Sequence, residues 1–493
     1  CFSLLWNDRI QGDVNLFALT AQELVRNDEL RYPMKMDYSK TIPWQTLHSP
    51  QSQHPPLWSL AAGTIGKIVG SDNTYGILQW MSFFVGIAII FALRQWLNLS
   101  SPETSTTVLS LAALSPMLVD FSGNGSQYSL GTLFLLLNCK LLSKDTIKAK
   151  TAILAGSFCG LAFLTHGAFL LMIFGVAFCF LKNKATTNQK LTCLVFCLAS
   201  FFAIISPMLW YKSNHFGSPF HNLNYVYIGG LLGQLSIQMD EHRIFWDFDF
   251  SLTLDAIKNY FHHFASAGIS FVIHLIFEWS PFGIGLGIIG FRNLRTHSPD
   301  MAKVILCLGI CYLLPVLGWA SFKYRFLAPI LPIAFVLSAI GFQYCRKCGG
   351  LWIKWGRLAM IGTFLWFSGA WVVSSILTGS PTRYYAFDLK HKDDYSEMIT
   401  FSEQIKKMAP GTIIGSAKSL DGGIEGVYLH QFPYIHARGF PWNYIQRIRE
   451  DFDATYFWTD QVMMGVYGEN LEHMELVLSN GKFRLLRFPA SQR

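Results

Sequence analysis

A carboxylate followed by a helical pattern stands near the start of the chain. Asp13 opens the run 14–24, whose apolar residues recur at helical spacing. An Asp at the start of a helix can cap the first backbone N–H groups. It can also act as a general base if it reaches a substrate hydroxyl. Position alone favours the cap, and Asp8 is a rival carboxylate five residues earlier.

Four other side chains are candidates for binding an anion such as phosphate. His54 precedes two prolines, His166 interrupts an apolar stretch, and Lys323 and Arg325 stand among aromatic residues. Arginine binds phosphate through a bidentate fork, which favours this role for the last pair. The alternatives are a local hydrogen bond for His54, an interhelical one for His166 and snorkelling interfacial anchors for the pair.

A second carboxylate, Glu278, lies one helical turn after His274 in an apolar stretch. If a span covers 272–291, Glu278 is within the membrane, where burial of its charge is costly, and if the span starts later it is interfacial. A metal site would need a third ligand that the sequence does not provide, so we assign no metal.

The elements that must position these residues are membrane spans. The 493 residues are 51% hydrophobic and 14% charged, whereas a soluble domain carries about 25% charged residues. This composition excludes a soluble multidomain enzyme and a disordered chain. Runs long and apolar enough to suggest spans cover 76–93, 107–121, 127–142, 151–165, 167–181, 191–211, 272–291, 303–319, 326–342 and 358–377.

The basic residues between these runs predict the orientation, because cytoplasmic connections are enriched in Lys and Arg. One alternating set of connections holds 15 basic and three acidic residues, a local charge of +12, and the rest of the chain holds 24 basic and 28 acidic residues, or −4. The net charge of +8 is therefore a topology signal and not a sign of nucleic-acid binding. The basic set is Arg94, Lys140, Lys144, Lys148, Lys150, Lys182, Lys184, Lys190, Arg292, Arg295, Lys303, Arg346, Lys347, Lys354 and Arg357.

The same orientation places three polar stretches outside the cytoplasm. The loops 7–56 and 212–263 and the tail 380–493 all fall on the outer face. Placing 7–56 outside predicts a further span before Asp13. We therefore expect a membrane domain over 1–379 and an extracytoplasmic domain over 380–493.

Two of the helical hairpins are too short to cross a membrane comfortably. The hairpin 151–181 has legs of about 15 residues, or roughly 22 Å, against an apolar core of about 30 Å. The hairpin 107–142 is similar around the polar apex 122–126. Each apex should be buried in protein or line a wet cavity, and Asn124 and Tyr128, with Glu278, are candidates for lining a substrate cavity. Tilted packing or local thinning of the bilayer is the alternative.

The tail regains charge and its apolar runs shorten. A helix around 396–408 should lead to a strand over 412–416. Further strands are expected at 425–429, 454–459, 474–479 and 482–488, and a helix near 443–451. This pattern predicts a small α/β domain with no catalytic constellation, for which substrate docking is the simplest role.

The order of several motifs resembles the GT-C glycosyltransferases related to protein O-mannosyltransferases and aminoarabinose lipid A transferases. The resemblance covers most of 8–345, and the tail resembles the soluble domains of bacterial members. The motifs are Asp13 opening a helix, His54-Pro55-Pro56-Leu57, Ser115-Pro116, Tyr128-Ser129-Leu130, Gly160-Leu161-Ala162-Phe163-Leu164-Thr165-His166-Gly167 and Lys323-Tyr324-Arg325-Phe326-x-x-Pro329.

The resemblance implies a polytopic membrane enzyme that transfers a hexosyl or pentosyl group from a polyprenyl-phosphate donor, with inversion, to a lipid, glycan or protein acceptor outside the cytoplasm of a bacterial cell. It assigns Asp13 as the general base, which reverses the preference for a cap. Lys323 and Arg325 match positions that neutralise the leaving phosphate, and His54 and His166 match positions where relatives carry Lys or His. The lipid-linked sugar is a substrate, and no cofactor is assigned.

The sequence also departs from the family pattern. Asp13 is followed by Val14 where relatives carry Glu, and the apex reads Asn124-Gly125-Ser126 where many relatives read Glu-Ala-Arg. The altered apex leaves open a changed specificity, weak activity or a relative that only binds a lipid carrier. A polyprenyl-lipid or solute transporter is the alternative from another class, although no inverted repeat is visible.

Overall fold

The computed structural model describes most of the chain. The described residues are 12–35, 38, 42, 44–51, 54–97, 102–143, 148–183, 185–221, 235–240, 244–249, 253–317, 324–378, 389–408, 410–416, 432–437 and 440–489.

Most of the described residues up to Thr378 are helical. All ten apolar runs in the sequence are helical, at least in part. Among the described residues, five helices are long and apolar enough to cross a membrane: α3, α9, α10, α12 and α14 in the order given below. The helices are α1 (Gly12–Asn27), α2 (Leu57–Val69), α3 (Thr74–Leu97), α4 (Pro102–Leu114), α5 (Pro116–Phe121), α6 (Tyr128–Leu142), α7 (Ala149–Thr165), α8 (Met172–Lys182), α9 (Thr187–Phe216), α10 (Leu254–Trp279), α11 (Pro281–His297), α12 (Pro299–Leu317), α13 (Leu331–Cys348) and α14 (Gly350–Thr378).

Short connections join the helices at two ends of the bundle. The basic connections after α3 and between α6 and α7, α8 and α9, α11 and α12, and α13 and α14 define what we call the basic end. The other end, which we call the site end, holds the apex 122–127, the 3-10 turn Gly167–Phe169 and the 3-10 turn Tyr324–Leu327. The α8–α9 connection leads into a capping box, in which Thr186 and Gln189 exchange hydrogen bonds.

The predicted run 107–121 is divided by a helix break. Ser115 accepts a hydrogen bond from the Leu118 N–H and Pro116 occupies the first helical position, so this Ser-Pro pair begins a new helix. The six-residue helix α5 therefore leads into the polar apex, which a single continuous span would not do.

The predicted span over 272–291 is wrong, because a break at Ser280 separates α10 from α11. Ser280 has a φ of 69°, its Oγ accepts the Gly283 N–H at 2.8 Å, and its hydroxyl bonds Thr363 of α14 at 3.2 Å. Beside the break, Trp279 Nε1 donates to Ser338 Oγ of α13 at 2.7 Å. Contacts with two other helices thus stabilise a strained backbone that the local sequence does not favour.

The outer loop predicted over 212–263 is also shorter than expected. Helix α9 continues to Phe216 and α10 begins at Leu254, capped by the Thr253 side chain. Between them lies an antiparallel hairpin of β1 (Leu235–Met239) and β2 (Ile244–Phe248).

The apex of the first short hairpin is buried in protein, and that of the second, His166–Ala168, is half-buried between buried residues. At the first apex Asn124 is 2% exposed and Gln127 is 1% exposed. At the second, Thr165 and Phe169 are fully buried. The short legs therefore end against other parts of the chain.

The tail forms a small α/β domain with one mixed sheet. Strands β3, β4 and β5 are parallel, whereas β7 pairs antiparallel with both β5 and β6, which gives the order β4-β3-β5-β7-β6. The predicted strand at 425–429 lies outside the described residues, and β4 was not predicted. The elements are α15 (Leu389–Met408), β3 (Ile413–Ser416), β4 (Tyr434–His436), α16 (Trp442–Phe452), β5 (Tyr456–Asp460), α17 (Gln461–Tyr467), β6 (Glu475–Ser479) and β7 (Phe483–Arg487).

Candidate functional site

The first apex is a compact turn held by a buried carboxylate. Asp120 is 5% exposed, and its backbone oxygen accepts the N–H groups of Gly123 and Asn124. The Asn124 amide donates to Asp120 Oδ2 at 3.3 Å and accepts the Ser126 N–H at 2.9 Å. Both ends of the Asn124 amide are thus used within the turn, so this side chain shapes the apex.

Gly125 brings the apex against α1 and α2. Its φ of 79° is a left-handed value that favours glycine. A Cβ at this position would lie 3.1 Å from Val14 Cγ1. The Gly125 carbonyl accepts a hydrogen bond of 2.7 Å from Trp58 Nε1, at the start of α2. The backbone of the apex therefore touches the residue that follows Asp13.

Asp13 lies in the first turn of α1. The helix begins at Gly12, so Asp13 is its second residue. A carboxylate in the first turn is favoured by the helix dipole. The rival carboxylate Asp8 lies outside the described residues.

His54 packs against the same helix. It is 8% exposed, and its ring centroid lies 4.9 Å from that of Phe17, one helical turn after Asp13. Phe17 is itself 1% exposed and clusters with Trp58 and Leu78. His54 is therefore held beside α1 and close to the part of α2 that contacts the apex.

The two apices meet through Tyr128 and His166. Nε2 of His166 lies 3.1 Å from the Tyr128 hydroxyl, and the ring centroids are 4.9 Å apart. The Ala168 N–H donates to Nδ1 of His166 at 3.2 Å. Because Nδ1 accepts, the ring proton is on Nε2 and is donated to the Tyr128 oxygen. In this arrangement His166 is a neutral ring that orients Tyr128.

Phe326 adds the third part of the site. Its ring centroid lies 6.0 Å from that of Tyr128 and 5.9 Å from that of His166. Tyr312 of α12 donates to the Phe326 carbonyl at 2.9 Å and fixes the turn. The half-buried Arg325 places its guanidinium carbon 5.9 Å from the Phe326 ring, within cation–π range.

The last two candidate residues are Lys323 and Glu278. Lys323 lies outside the described residues. Glu278 is 1% exposed at the end of α10, a helix that packs against the Tyr324–Leu327 turn and against α13. The negative end of the helix dipole does not favour a charged carboxylate at Glu278.

Contacts thus join most of the candidate residues at the site end. One chain of contacts runs from α1 and His54 through Trp58 to Gly125. A second runs from Tyr128 through His166 to Phe326, the neighbour of Arg325. The turn 122–127 links the two chains of contacts, because it contains Gly125 and Tyr128 follows directly after it.

The sequence reasoning missed Asp120. The apex 124–126 carries no carboxylate, but Asp120 supplies a buried one four residues earlier. The signal was present, because an ionisable residue within an apolar run is by default a functional candidate. Among the described residues, no group of three or more His, Cys, Asp or Glu side chains is placed to hold a metal ion.

The described side chains on the elements around α1 include a guanidinium, a phenol and two imidazoles, and Asp13 belongs to α1 itself. A carboxylate can take a proton from a hydroxyl. A guanidinium and neutral hydrogen-bond donors can stabilise negative charge on a departing phosphate. The chemistry that the site can support is therefore group transfer from a phosphate-linked substrate.

Comparison with solved structures identifies the fold. The chain is similar to ArnT from Cupriavidus metallidurans bound to undecaprenyl phosphate, with a TM-score of 0.58 and 13% identity over 99% of this chain and 96% of that one. The apo state of that protein gives a TM-score of 0.58 and 12% identity over 99% and 95%. An Archaeoglobus fulgidus oligosaccharyltransferase in complex with Zn and sulfate gives 0.51 and 13% over 94% and 66%.

No protein-family model and no curated protein sequence matches the chain. The structural similarity nevertheless extends over nearly the full length of both chains. The expected fold is therefore confirmed: this chain is a mostly helical membrane protein that shares the fold of the ArnT structure and carries a small C-terminal sheet domain.

Proposed function

We propose that this protein is an integral membrane glycosyltransferase that moves a sugar from a polyprenyl-phosphate donor to an acceptor hydroxyl. The acceptor is a lipid, a glycan or a protein. The site end and the tail domain face away from the cytoplasm, in accord with the +12 charge of the connections at the basic end. The membrane is a bacterial plasma membrane.

The reaction proposed is a direct, inverting displacement. The Asp13 carboxylate takes the proton of the acceptor hydroxyl as that oxygen attacks the anomeric carbon. The bond between the anomeric carbon and the phosphate oxygen breaks, and its electron pair leaves with the polyprenyl phosphate. Arg325 and Lys323 neutralise the charge that develops on that oxygen. Tyr128, oriented by His166, donates a further hydrogen bond to the donor, and His54 lines the same site.

The observation that carries this proposal is the convergence of three separate segments at the site end. Tyr128, His166 and Phe326 come from α6, from the second apex and from the turn that also holds Arg325, and their rings lie within 6.0 Å of one another. Gly125 joins this group to α1 through Val14. A similar fold has been crystallised with undecaprenyl phosphate, which supports a lipid-phosphate donor.

Sugar transfer from a labelled donor tests the proposal. The purified full-length chain is reconstituted in liposomes with undecaprenyl-phosphate-linked [14C]mannose or undecaprenyl-phosphate-linked aminoarabinose, together with a bacterial envelope extract as acceptor. We expect the sugar label to leave the lipid and to appear on the acceptor. Arg325→Gln should slow the transfer about 100-fold, the scale for loss of one group that stabilises developing charge.

Arg295→Gln is the matched control, because Arg295 is exposed at the basic end. It should leave the rate unchanged. Movement of the intact labelled lipid across the bilayer without cleavage would show transport and contradict the proposal. An equal fall in the transfer rate in Arg325→Gln and Arg295→Gln would contradict the assignment of Arg325 to the donor site.

A further inference from the structure

Helix α1 is buried on two sides by different parts of the chain. Val14 and Phe17 pack with Trp58 in a cluster of the membrane domain. Leu16 and Leu19, on another face of the same helix, pack in a cluster formed largely by the tail domain. The members of that cluster from the tail domain are Met398, Phe401, Ile405, Ile413, Tyr434, Trp458, Phe483 and Leu485.

The loop that follows α1 joins the sheet of the tail domain. The Lys35 N–H donates to the Tyr434 carbonyl at 3.2 Å, and the His436 N–H donates to the Lys35 carbonyl at 3.1 Å. Lys35 thereby forms a parallel bridge with Ile435 at the edge of β4. The loop covers a sheet edge that would otherwise expose unpaired backbone groups.

The Lys35 side chain lies in an aromatic cage. It is 1% exposed, and its Nζ lies 4.7 Å from the Trp44 ring, 5.5 Å from the Tyr38 ring and 5.3 Å from the Phe452 ring. Nζ also donates to the carbonyls of Trp44 and Thr46, at 2.6 and 3.2 Å. Burial of an ammonium is costly unless it is compensated, and here carbonyl oxygens and three ring faces stabilise it.

Two further hydrogen bonds attach the same loop to the domain. The Tyr38 hydroxyl donates to the His436 carbonyl at 2.6 Å, and Trp44 Nε1 donates to Asp451 Oδ2 at 2.9 Å. Since Phe452 and Asp451 both belong to α16, the cage spans the contact between loop and domain.

The base of the loop is fixed to the helical bundle. The Tyr211 hydroxyl, at the end of α9, donates to the Leu30 carbonyl and accepts the Gln51 N–H, the latter at 3.1 Å. The chain then continues within three residues to His54. The loop after α1 is thus held by the bundle at both of its ends and by the tail domain in its middle.

We propose that Lys35 is a positioning residue, through which the tail domain holds α1 and the following loop in the arrangement that the reaction needs. This rests on the proposed function, because Asp13 lies on α1 and His54 follows the loop. The tail domain then acts on catalysis by fixing the helix of the base, in addition to any docking of substrate. Substitution of Lys35 should lower kcat more than it changes the KM for the donor.

Hydrogen exchange and kinetics on the full-length chain in lipid nanodiscs test this role. Lys35→Met keeps most of the length of the side chain but removes its charge and its donors. We expect faster exchange in 31–51 and 434–437, faster exchange in 12–27, and a fall in kcat of about 10-fold to 100-fold, the scale for a displacement of about 1 Å at a reacting group. The donor KM should change less than kcat.

Lys406→Met is the matched control, because Lys406 is a lysine of the same domain that pairs only locally with Glu403 among the contacts described. It should change neither exchange in 12–27 nor kcat. If Lys35→Met does not fold, Trp44→Phe serves as the milder variant, since it removes the bond to Asp451 and retains an aromatic ring. It should give the same pattern with smaller changes.

The outcomes separate this proposal from the proposed function. Faster exchange in 31–51 with exchange in 12–27 and kcat at wild-type values would overturn the positioning role. A wild-type chain that transfers no sugar would overturn the proposed function. In that case exchange in 12–27 alone decides whether the tail domain holds α1: a rise in Lys35→Met supports it, and no rise overturns it.

Discussion

Nε2 of His166 lies 3.1 Å from the Tyr128 hydroxyl, so the apices of two short helical hairpins touch through one polar contact. Each hairpin alone is too short to span a membrane comfortably. The first apex is nevertheless buried and the second half-buried, because they pack against each other, α1 and the Tyr324–Leu327 turn. This contact connects the apex that Asp120 stabilises with the turn that carries Arg325.

Loss of the Tyr128 hydroxyl should weaken both the site and the fold. Tyr128→Phe removes the acceptor of the His166 N–H, which should lower the free energy of unfolding by about 1 kcal/mol and reduce sugar transfer. Thermal unfolding in detergent and initial rates measure the two effects. Tyr260→Phe, at an exposed position on α10, is the control and should change neither. A Tyr128→Phe protein with the wild-type rate would show that this contact has no part in transfer.

A side chain at Gly125 should disturb the contact between the apex and α1. Gly125→Ala forces a left-handed backbone on alanine, at about 1–2 kcal/mol, and its Cβ would crowd Val14. We expect a lower melting temperature and slower transfer. Val14→Ala combined with Gly125→Ala should recover part of the loss. Gly285→Ala, where an added Cβ meets nothing within 4 Å, should be neutral. No recovery in the double variant would contradict the close approach described.

Asp120 should stabilise the apex through the oxygen that accepts from Asn124. Asp120→Ala leaves the buried Asn124 amide without that acceptor, which should cost about 1–3 kcal/mol. Asp120→Asn retains an oxygen in the same place and should cost less. Chemical unfolding of the detergent-solubilised chain ranks the two variants. Equal stability of Asp120→Ala and the wild type would rule out this function of the carboxylate.

Docking of the loop on the tail domain should weaken at high pH. Burial raises the pKa of the Tyr38 hydroxyl far above its usual range, so the docked state favours the protonated phenol. Docking is therefore fully stable below the ordinary tyrosine pKa of about 10 and loses stability as the pH rises above it. Hydrogen exchange in 31–51 should accelerate from pH 9 to pH 11. Above about pH 10 the exchange rate should rise by about a further factor of ten per pH unit, in addition to the increase in the intrinsic exchange rate. That acceleration should be smaller in Tyr38→Phe.

Tyr467 complicates the same pH range, because burial also raises its pKa within the core of the tail domain. Its hydroxyl lies 2.9 Å from Ser416 Oγ. Exchange in β3 serves as the control for this second group and should respond equally in the wild type and in Tyr38→Phe. Identical pH profiles for 31–51 in both proteins would exclude Tyr38 as the responsible group.

The sequence predicted the helices well because long apolar runs leave few alternatives in a membrane. It missed the break at Ser280, although Ser280-Pro281 is the same kind of Ser-Pro helix start as Ser115-Pro116. Two bonds to residues distant in sequence stabilise the break, one from Ser280 to Thr363 and one from the neighbouring Trp279 to Ser338. The three-residue strand β4 carries too short a pattern for sequence-based assignment.

The sequence could predict which residues are candidates for the site, but it could not predict which of them contact one another. Asp120 was missed although it is an ionisable residue within an apolar run, and no sequence pattern indicates that Nδ1 of His166 accepts a backbone N–H. Lys35 gave no signal at all, since a lysine in a polar loop is normally exposed. Its burial depends on Phe452, more than 400 residues later in the chain.

The initial rate of sugar transfer by Asp13→Asn tests the central claim most directly. The comparison is with Asp255→Asn, because Asp255 is an exposed carboxylate on α10 that pairs with Lys258. If Asp13 is the general base, Asp13→Asn should lower kcat about 100-fold to 10,000-fold while Asp255→Asn retains the wild-type rate. An Asp13→Asn protein that transfers sugar at the wild-type rate would contradict the account.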